Sequence, residues 1–357
     1  MKFLFLLVLA LLCGTASRAQ PAPSAATILT LMQKANVPGM QLVYTRGGKA
    51  HAYALGQRTA GQPAAVDATT TFEAASLGKA VLAYVALRLL DRGVLALDKP
   101  LLTYCPYPRL QGAANADKIT ARMVLGHTTG LPNWATNPLG PDWGTAPLRL
   151  KYAPDSCWNY SGEGYVWLQK TLEHLAGKSF ETLAREEVFG PLGMKHSSFV
   201  WQQKRAANVA SGHDGQSQPV PISHFPAAYG AYSLLSTATD YSRFLQAVMT
   251  GRGLKPTTAQ LLLAPANEAQ RCGQPTTATD PFIAWACGVG LATTSHGLAQ
   301  WQWGDNGNFK GFYMTLPDEK QTLVFLTNSS NGPKMTEDLL RLFFGPGEYR
   351  APQWLAE

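Results

Sequence analysis

The chain has 357 residues, with 30 basic and 23 acidic side chains, a formal net charge of +7 and only 15% charged residues. This length, with 46% hydrophobic residues, suffices for a large core in one domain or two subdomains. The basic residues are scattered and form no block of five or six, so we expect no nucleic-acid partner.

The first 19 residues have the pattern of a secretory signal peptide. Met1 and Lys2 give a basic start, residues 3–12 carry no charge, and a segment of small residues ends at Ala19. The apolar run is too short to cross a bilayer as a helix, and no later segment is long and apolar enough to do so. We predict cleavage after Ala19, or after Gln20, and a secreted or periplasmic mature protein.

Four cysteines would remain after this cleavage. Cys272 with Cys287, or Cys105 with Cys157, could form disulfides in an oxidising compartment, although the sequence does not determine the pairing. Neither these cysteines nor the seven histidines have the spacing of zinc ligands. We therefore predict no metal site and no cofactor.

Two strands are the first regular elements predicted along the chain. Residues 20–26 are rich in Pro and Ala and indicate an irregular leader. Residues 40–46 and 49–56 are predicted strands, and the Gly-Gly pair between them favours a hairpin. Apolar residues recur at helical spacing over residues 76–91, and Gly93 is expected to end that helix.

The middle of the chain, residues 92–280, is predicted to contain helices separated by loops rich in Pro and Gly. Strands return near the C-terminus, and a last helix is predicted over residues 334–344. The helices predicted in the middle segment are 119–126, 164–175, 179–188, 240–249 and 257–263. The strands predicted near the C-terminus are 288–293, 297–303, 309–316 and 321–327.

This order of elements predicts an α+β fold. Strands from both chain ends would share one antiparallel sheet flanked by helices, with the helical middle inserted between them. We predict a single domain over residues 20–357, with a sheet lobe from about 27–80 and 282–345 and an all-α lobe from about 81–281. The crevice between the lobes is the expected binding site.

Ser76 and Lys79 form the most informative pair of residues in the chain. They lie three residues apart at the start of the predicted helix, so their side chains share one helix face. A serine hydroxyl is a weak nucleophile at neutral pH, and an amine that takes its proton would activate it. The ordinary alternatives are a helix N-cap for Ser76 and solvent exposure for Lys79.

Tyr160 lies in a glycine-flanked loop just before a predicted helix. A phenol is a competent general base only if its pKa is lowered, which an adjacent lysine cation would do. The structural alternative is a loop anchor with a hydrogen-bonded hydroxyl group.

A third candidate segment lies at the end of the predicted strand 297–303. Trp301 and Trp303 bracket Gln302 there and Gly304 follows the strand, and a glycine at a strand edge allows a ligand to approach the backbone closely. The next backbone N–H, that of Asp305, could point at a developing oxyanion. The alternative is an ordinary Trp-rich edge strand and turn.

In order and spacing, these segments resemble the three motifs of the serine beta-lactamase and penicillin-binding-protein superfamily. The strongest likeness is to its beta-lactamase-related branch, which includes class C enzymes, family VIII esterases and D-aminopeptidase-like hydrolases, and it covers about residues 27–330. The resemblance implies a beta-lactamase/transpeptidase-like fold and hydrolysis through an acyl-enzyme. The supporting segments of sequence are 76–79, 125–132, 160–162, 191–194, 231–240 and 302–304.

The resemblance also implies a role for each matching residue. Ser76 would be the acylated nucleophile, Lys79 its amine partner and Tyr160 the tyrosine of the second motif. The backbone N–H groups of Ser76 and Asp305 would form the oxyanion hole, whereas His127 is expected to be structural. The residues expected to bind substrate are Gly162, Gln302, Trp303 and Gly304.

The chain departs from the family pattern at two of these positions. Gly162 replaces an Asn that many relatives use for substrate contact, and Gln302 replaces a Lys or His. A cation at that position would attract a substrate carboxylate, which a neutral amide does less well. Trp303 adds apolar bulk, and together these changes favour uncharged or amine-bearing substrates over beta-lactams.

The sequence therefore predicts an exported, monomeric serine hydrolase that cleaves a small ester, amide or peptide through an acyl-enzyme on Ser76. A beta-lactamase or D-Ala carboxypeptidase is the alternative within the same class. A non-catalytic binding protein on the same scaffold is the alternative from a different class, and the changes at Gly162 and Gln302 are the features that favour it.

Overall fold

The computed structural model describes residues 22–357, so the predicted signal peptide lies outside the described residues. No helix within the described range is long and apolar enough to cross a membrane. The irregular leader ends earlier than predicted, because helix α1 (Ala25–Ala35) begins at Ala25. The Ser24 hydroxyl caps this helix by accepting a hydrogen bond from the Thr27 N–H at 3.2 Å.

A seven-stranded antiparallel sheet joins the two ends of the chain. Its spatial order is β2-β1-β9-β8-β7-β6-β5, and the N-terminal strand β1 pairs with the C-terminal strand β9. The predicted α+β class and the sheet formed from both chain ends are confirmed. The strands are β1 Gly39–Arg46, β2 Lys49–Gly56, β3 Phe72–Ala75, β4 Leu234–Ser236, β5 Ile283–Trp285, β6 Gly290–Thr294, β7 Gly297–Asp305, β8 Lys310–Leu316 and β9 Gln321–Thr327.

Both faces of this sheet are covered by helices. Along β9, Leu323 and Phe325 belong to a core shared with α1 and the two C-terminal helices, whereas Val324 and Leu326 belong to the core shared with α2. This alternation follows from the two-residue period of a strand. The helices that follow α1 are α2 Gly78–Asp91, α3 Ala121–Leu125, α4 Gly162–Ala176, α5 Phe180–Ala184, α6 Gly190–Leu192, α7 Ala238–Thr250, α8 Pro256–Ala259, α9 Thr336–Phe344 and α10 Arg350–Ala356.

The shortest elements and the first and last helices, α1 and α10, were not predicted from the sequence. Strands β3 and β4 pair with each other outside the main sheet, so the segment predicted to be all-α also contains a strand. Strands of three or four residues give no periodic signal. Helix α5 passes directly into a π-helical turn (Arg185–Phe189). The sequence pattern predicted the two together as one continuous helix over residues 179–188. The division into a sheet lobe and a helical lobe stays a prediction.

One disulfide links segments far apart in the chain. Cys157 is bonded to Cys272, 115 residues away, and neither of the two pairings considered from the sequence is formed. Cys105 and Cys287 are free within the described residues. Backbone hydrogen bonds from Trp158 N–H to Gln270 O, at 2.7 Å, and from Cys272 N–H to Trp158 O, at 2.9 Å, run beside the disulfide. The loop before α4 is therefore held against the residues that precede β5.

Candidate active site

Ser76 lies at a sharp change of direction between β3 and α2. The pairing of β3 with β4 is irregular between Glu73 and Ala75, and Ala75 has a positive φ of 50°, a conformation uncommon for a residue with a side chain. Helix α2 begins two residues after Ser76. The hydroxyl is thereby presented at the start of the helix and lines a cavity of about 390 Å³. Ser76 is not the N-cap, a position held by Leu77.

Lys79 is fully buried directly behind the serine. Its Nζ donates a hydrogen bond to Ser76 Oγ at 3.0 Å and to the carbonyl oxygen of Ala231 at 2.7 Å. Burial penalises the ammonium form and lowers the pKa of Lys79 to about 7. The surface-exposed alternative for Lys79 is wrong, because this amine is held in contact with the serine and can exist in its neutral form near neutral pH.

Tyr160 lies beside this pair. The Lys79 Nζ lies 4.7 Å from the centroid of its ring, and the imidazole ring of His127 packs on the tyrosine with a centroid separation of 4.4 Å. The Ser161 N–H donates to His127 Nδ1 at 3.1 Å. His127 thus orients the loop that carries Tyr160.

The protonation state of Tyr160 differs from the prediction. Burial raises the pKa of this phenol, an effect larger than the opposite one of the neighbouring Ser76 hydroxyl. The Tyr160 hydroxyl has no hydrogen-bond partner among the described residues, so Ser76 acts on this pKa by proximity, without a well-formed hydrogen bond. The expected lowering of the pKa by the lysine is wrong, because the loss of solvent dominates. Tyr160 is a neutral phenol that can donate a proton.

The cavity brings together several of the predicted residues. Ser76, Tyr160, Trp303 and Asp305 line it. The Trp303 ring packs against the Tyr160 ring with centroids 4.7 Å apart, so the third motif meets the second at one wall. The other residues that line the cavity are Glu73, Asn133, Trp134, Asn137, Pro138, Leu139, Ser223, Phe225, Tyr232, Asn306 and Gly307.

Gly162, Gln302 and Gly304 do not line this cavity. A side chain at Gly162 would collide with the indole of Trp134, which lies 2.3 Å from the ideal Cβ position. Gln302 is fully buried, and its Nε2 has no partner among the described residues. At Gly304 an added Cβ would lie 2.4 Å from the carbonyl oxygen of Ala74. Gly304 therefore permits the close approach of strand β3, whereas the sequence predicted the close approach of a ligand.

Trp134, which was not predicted to be a site residue, occupies the space beside Gly162. Its loop is held by the buried carboxylate of Glu163, which accepts a hydrogen bond from the Ala135 N–H at 3.0 Å. That carboxylate accepts hydrogen bonds from the Arg109 guanidinium at 2.7 and 3.0 Å and from Trp143 Nε1 at 2.8 Å. A glycine at a motif position that usually carries a side chain was the available signal, because a neighbouring bulky residue then fills the space.

Comparison with known proteins identifies the family. The Beta-lactamase family model matches residues 25–343, so the chain belongs to this family of serine hydrolases, within the serine beta-lactamase and penicillin-binding-protein superfamily. In a crystal structure of a beta-lactamase/D-alanine carboxypeptidase from Pseudomonas syringae, the matching region covers 91% of this chain and 98% of that one. The TM-score is 0.75 and the identity is 17%, a likeness that shows the shared fold.

Curated relatives are similar to this chain at modest identity. Penicillin-binding protein 4 of Amycolatopsis lactamdurans is 27% identical over 333 residues, which cover 87% of this chain and 86% of the relative. Esterase EstB of Burkholderia gladioli is 29% identical over 253 residues, which cover 58% of this chain and 64% of the esterase. The chain thus matches less than two thirds of the length of that esterase.

Proposed function

We propose that this serine hydrolase cleaves a small ester or amide through an acyl-enzyme on Ser76. The observation that carries the proposal is the contact between Ser76 Oγ and the buried amine of Lys79 at 3.0 Å, together with the lowered pKa of that amine. A neutral amine beside the hydroxyl can accept its proton as Oγ attacks the acyl carbon.

The remaining steps use groups at the same cavity. The bond from Ser76 Oγ to the acyl carbon forms and the bond to the leaving group breaks. The leaving group takes up the proton that Lys79 accepted from Ser76, passed on through the Tyr160 hydroxyl, which regains its own proton from Lys79. The N–H groups of Ser76 and Asp305 are the proposed donors to the oxyanion, and loss of one such donor costs about a hundredfold or more in rate. Water then releases the acid and regenerates the serine.

The cavity favours an ester or amide without a carboxylate over a beta-lactam. Trp303 adds an indole to the cavity wall, and Gln302, which is buried outside the cavity, is neutral where the third motif of the family usually carries a cation. The printed names of the relatives include both an esterase and a penicillin-binding protein. Hydrolysis of nitrocefin at a rate comparable to that of an ester would favour the beta-lactamase alternative.

Export remains part of the proposal, on the basis of residues 1–19. Their basic start, uncharged core and small-residue end support a mature protein that is secreted or periplasmic.

The proposal predicts that Ser76→Ala abolishes turnover. With short-chain nitrophenyl esters, we expect kcat to fall by at least about a thousandfold, because the nucleophile is removed. A fluorophosphonate should label the wild type once, seen as an adduct by intact-mass spectrometry, and should not label the variant. Ser156→Ala, at an exposed serine, is the matched control and should behave as wild type.

Two results would contradict the assignment. Equal ester turnover by wild type and Ser76→Ala would remove Ser76 as the nucleophile. No turnover and no adduct with the wild type would favour a non-catalytic binding protein.

A further inference from the structure

Glu73 is a buried carboxyl group in the wall of the cavity that contains Ser76, and the proposed reaction does not use it. The residue is only 3% exposed. Asn306 Nδ2 donates a hydrogen bond to Glu73 Oε2 at 2.7 Å, whereas Oε1 is buried and has no partner among the described residues. An unpaired acceptor on a buried acidic group is costly, so its position in the cavity wall suggests that a ligand supplies the missing partner.

The ionisation of Glu73 responds to this environment. Burial raises the pKa of the carboxyl group, and the Asn306 amide and the nearby Ser223 act in the opposite direction. Ser223 acts on this pKa through its hydroxyl and its backbone N–H, although neither makes a hydrogen bond of good geometry with the carboxylate. A bound cation would favour the charged form further.

The residues around Glu73 give the cavity an acidic and aromatic character. No lysine, arginine or histidine is among the described residues that line it. Asp305, the second acid in the wall, is already paired with Lys310 Nζ at 2.5 Å, which leaves Glu73 as the acid available to a ligand. The aromatic side chains in the wall are Trp134, Tyr160, Phe225, Tyr232 and Trp303.

This combination of groups is suited to an organic cation. Trp134 and Tyr232 meet edge to face with centroids 5.6 Å apart, and Tyr160 and Trp303 pack together at 4.7 Å. Ring faces attract alkylammonium groups, and a desolvated carboxylate supplies the opposite charge. A substrate carboxylate, by contrast, would meet Glu73 without a cation in the wall to offset the repulsion.

We propose that this cavity selects substrates that carry an alkylammonium or trimethylammonium group near the scissile ester or amide, with Glu73 as the counter-ion. The inference rests on the proposed function, since it names the substrate class of the same site. Asn306 is a positioning residue here, because its amide holds one oxygen of Glu73 and leaves the other free for the ligand.

The cationic side chains of this region lie in a neighbouring cavity. That cavity, of about 460 Å³, is lined by Lys151 and Arg271 together with the acidic Glu357, and it shares Asn133, Tyr160 and Trp303 with the first. Lys151 and Arg271 therefore lie outside the cavity that contains Ser76. A cation entering that cavity would meet Glu73 with no basic side chain among the described residues of the wall.

A set of esters that differ only in charge tests the preference. The cationic member is the nitrophenyl ester of trimethylammoniobutyrate, and the neutral member replaces the trimethylammonium group by a tert-butyl group. The anionic member is the mono-nitrophenyl ester of glutarate. Acetylcholine, compared with its neutral carbon isostere, tests a cation on the alcohol side of the ester. We expect kcat/KM for the cationic ester to exceed that of its neutral isostere by about tenfold or more, with the anionic ester slowest.

Glu73→Gln keeps the shape of the side chain and removes its charge. We expect this variant to bring the ratio of kcat/KM for the cationic ester to kcat/KM for the neutral ester close to one. The ratio is measured within each variant, so a general loss of activity or stability does not alter it. Asp117→Asn removes one exposed negative charge outside this cavity and should leave the ratio as in wild type.

A binding measurement separates this inference from the proposed reaction. Calorimetric titration of Ser76→Ala with benzyltrimethylammonium requires no turnover, and adding Glu73→Gln to that variant should weaken binding by about tenfold or more. A charge-independent kcat/KM in the wild type, or a ratio unchanged by Glu73→Gln, would overturn the role of Glu73 even if Ser76 is the nucleophile. If the wild type hydrolyses none of the esters but binding of the cation still depends on Glu73, the hydrolase proposal alone is overturned.

Discussion

Lys79 shows how a single residue acquires its chemistry from burial. The sequence places it three residues after Ser76, but its usefulness as a base depends on a pKa that burial lowers to about 7. The Ala231 carbonyl holds the amine at 2.7 Å and directs it at Ser76 Oγ. A surface lysine at the same spacing would remain protonated and could not accept the serine proton.

The pH dependence of turnover follows from this pKa. Below about pH 7 Lys79 is protonated and cannot act as a base, so kcat/KM for a neutral ester should rise about tenfold per pH unit and level off above pH 7. Tyr160 should cause no further rise in kcat/KM in this pH range, because its pKa is raised and the phenol stays protonated.

The matched variant for this experiment is Lys79→Arg. A guanidinium stays charged throughout the range, so we expect a loss of at least about a hundredfold and no rise near pH 7. A wild-type profile that is flat from about pH 5 to pH 9, after subtraction of spontaneous hydrolysis, would contradict the role of Lys79 as the base.

At the scale of elements, the site depends on how closely strand β7 approaches strand β3. Gly304 has no side chain, and this lets the β7 backbone contact the carbonyl of Ala74, two residues before Ser76. The proposed oxyanion donors, on Ser76 and Asp305, belong to these two segments. Their separation is therefore set by a contact that only glycine permits.

Gly304→Ala should widen this separation. A Cβ 2.4 Å from a backbone oxygen forces one strand to move, and a displacement of about 1 Å at an active site can cost about a hundredfold in rate. We expect kcat for a neutral ester to fall by about this factor, with a smaller change in KM. Steady-state kinetics of the folded variant measure both quantities.

Gly144→Ala is the appropriate control for that substitution. An added Cβ there meets nothing within 4 Å, and the loss of backbone freedom in the unfolded chain is the same for both substitutions. Full activity of Gly304→Ala, with thermal unfolding as in wild type, would mean that β7 can be displaced without harm to the site.

At the scale of the whole molecule, two long-range connections assemble the site. The pairing of β1 with β9 brings both chain ends into one sheet, and the Cys157–Cys272 disulfide ties the loop that carries Tyr160 to the segment before β5. A link that closes a loop of this length restricts the unfolded chain and stabilises the fold by about 2–5 kcal/mol.

Replacing both bonded cysteines by serine should therefore lower the melting temperature and reduce ester turnover, since Tyr160 lies three residues after Cys157. Thermal unfolding and kcat/KM measure the two effects. Cys105→Ser, at a free cysteine, is the control and should change neither. A double variant with the melting temperature of the wild type would show that the disulfide contributes nothing to stability.

The sequence by itself determined the local features of this protein. Short strand-forming runs bounded by turn residues predicted the hairpin of β1 and β2 and three of the C-terminal strands closely, because these signals depend only on neighbouring residues. The spacing of Ser76 and Lys79 likewise placed the two side chains near each other, although Ser76 lies two residues before helix α2 begins and not on the helix. The motif order was sufficient to recognise the family, which the family match confirms.

Only the tertiary structure decided the properties that depend on residues far apart in the chain. The neutral state of Tyr160, the pairing of Cys157 with Cys272, the indole that fills the space beside Gly162 and the free oxygen of Glu73 all arise from contacts across long sequence separations. Their physical cause is burial: the removal of water sets each pKa and each vacant hydrogen-bonding position, and no local pattern of residues records which groups are buried together.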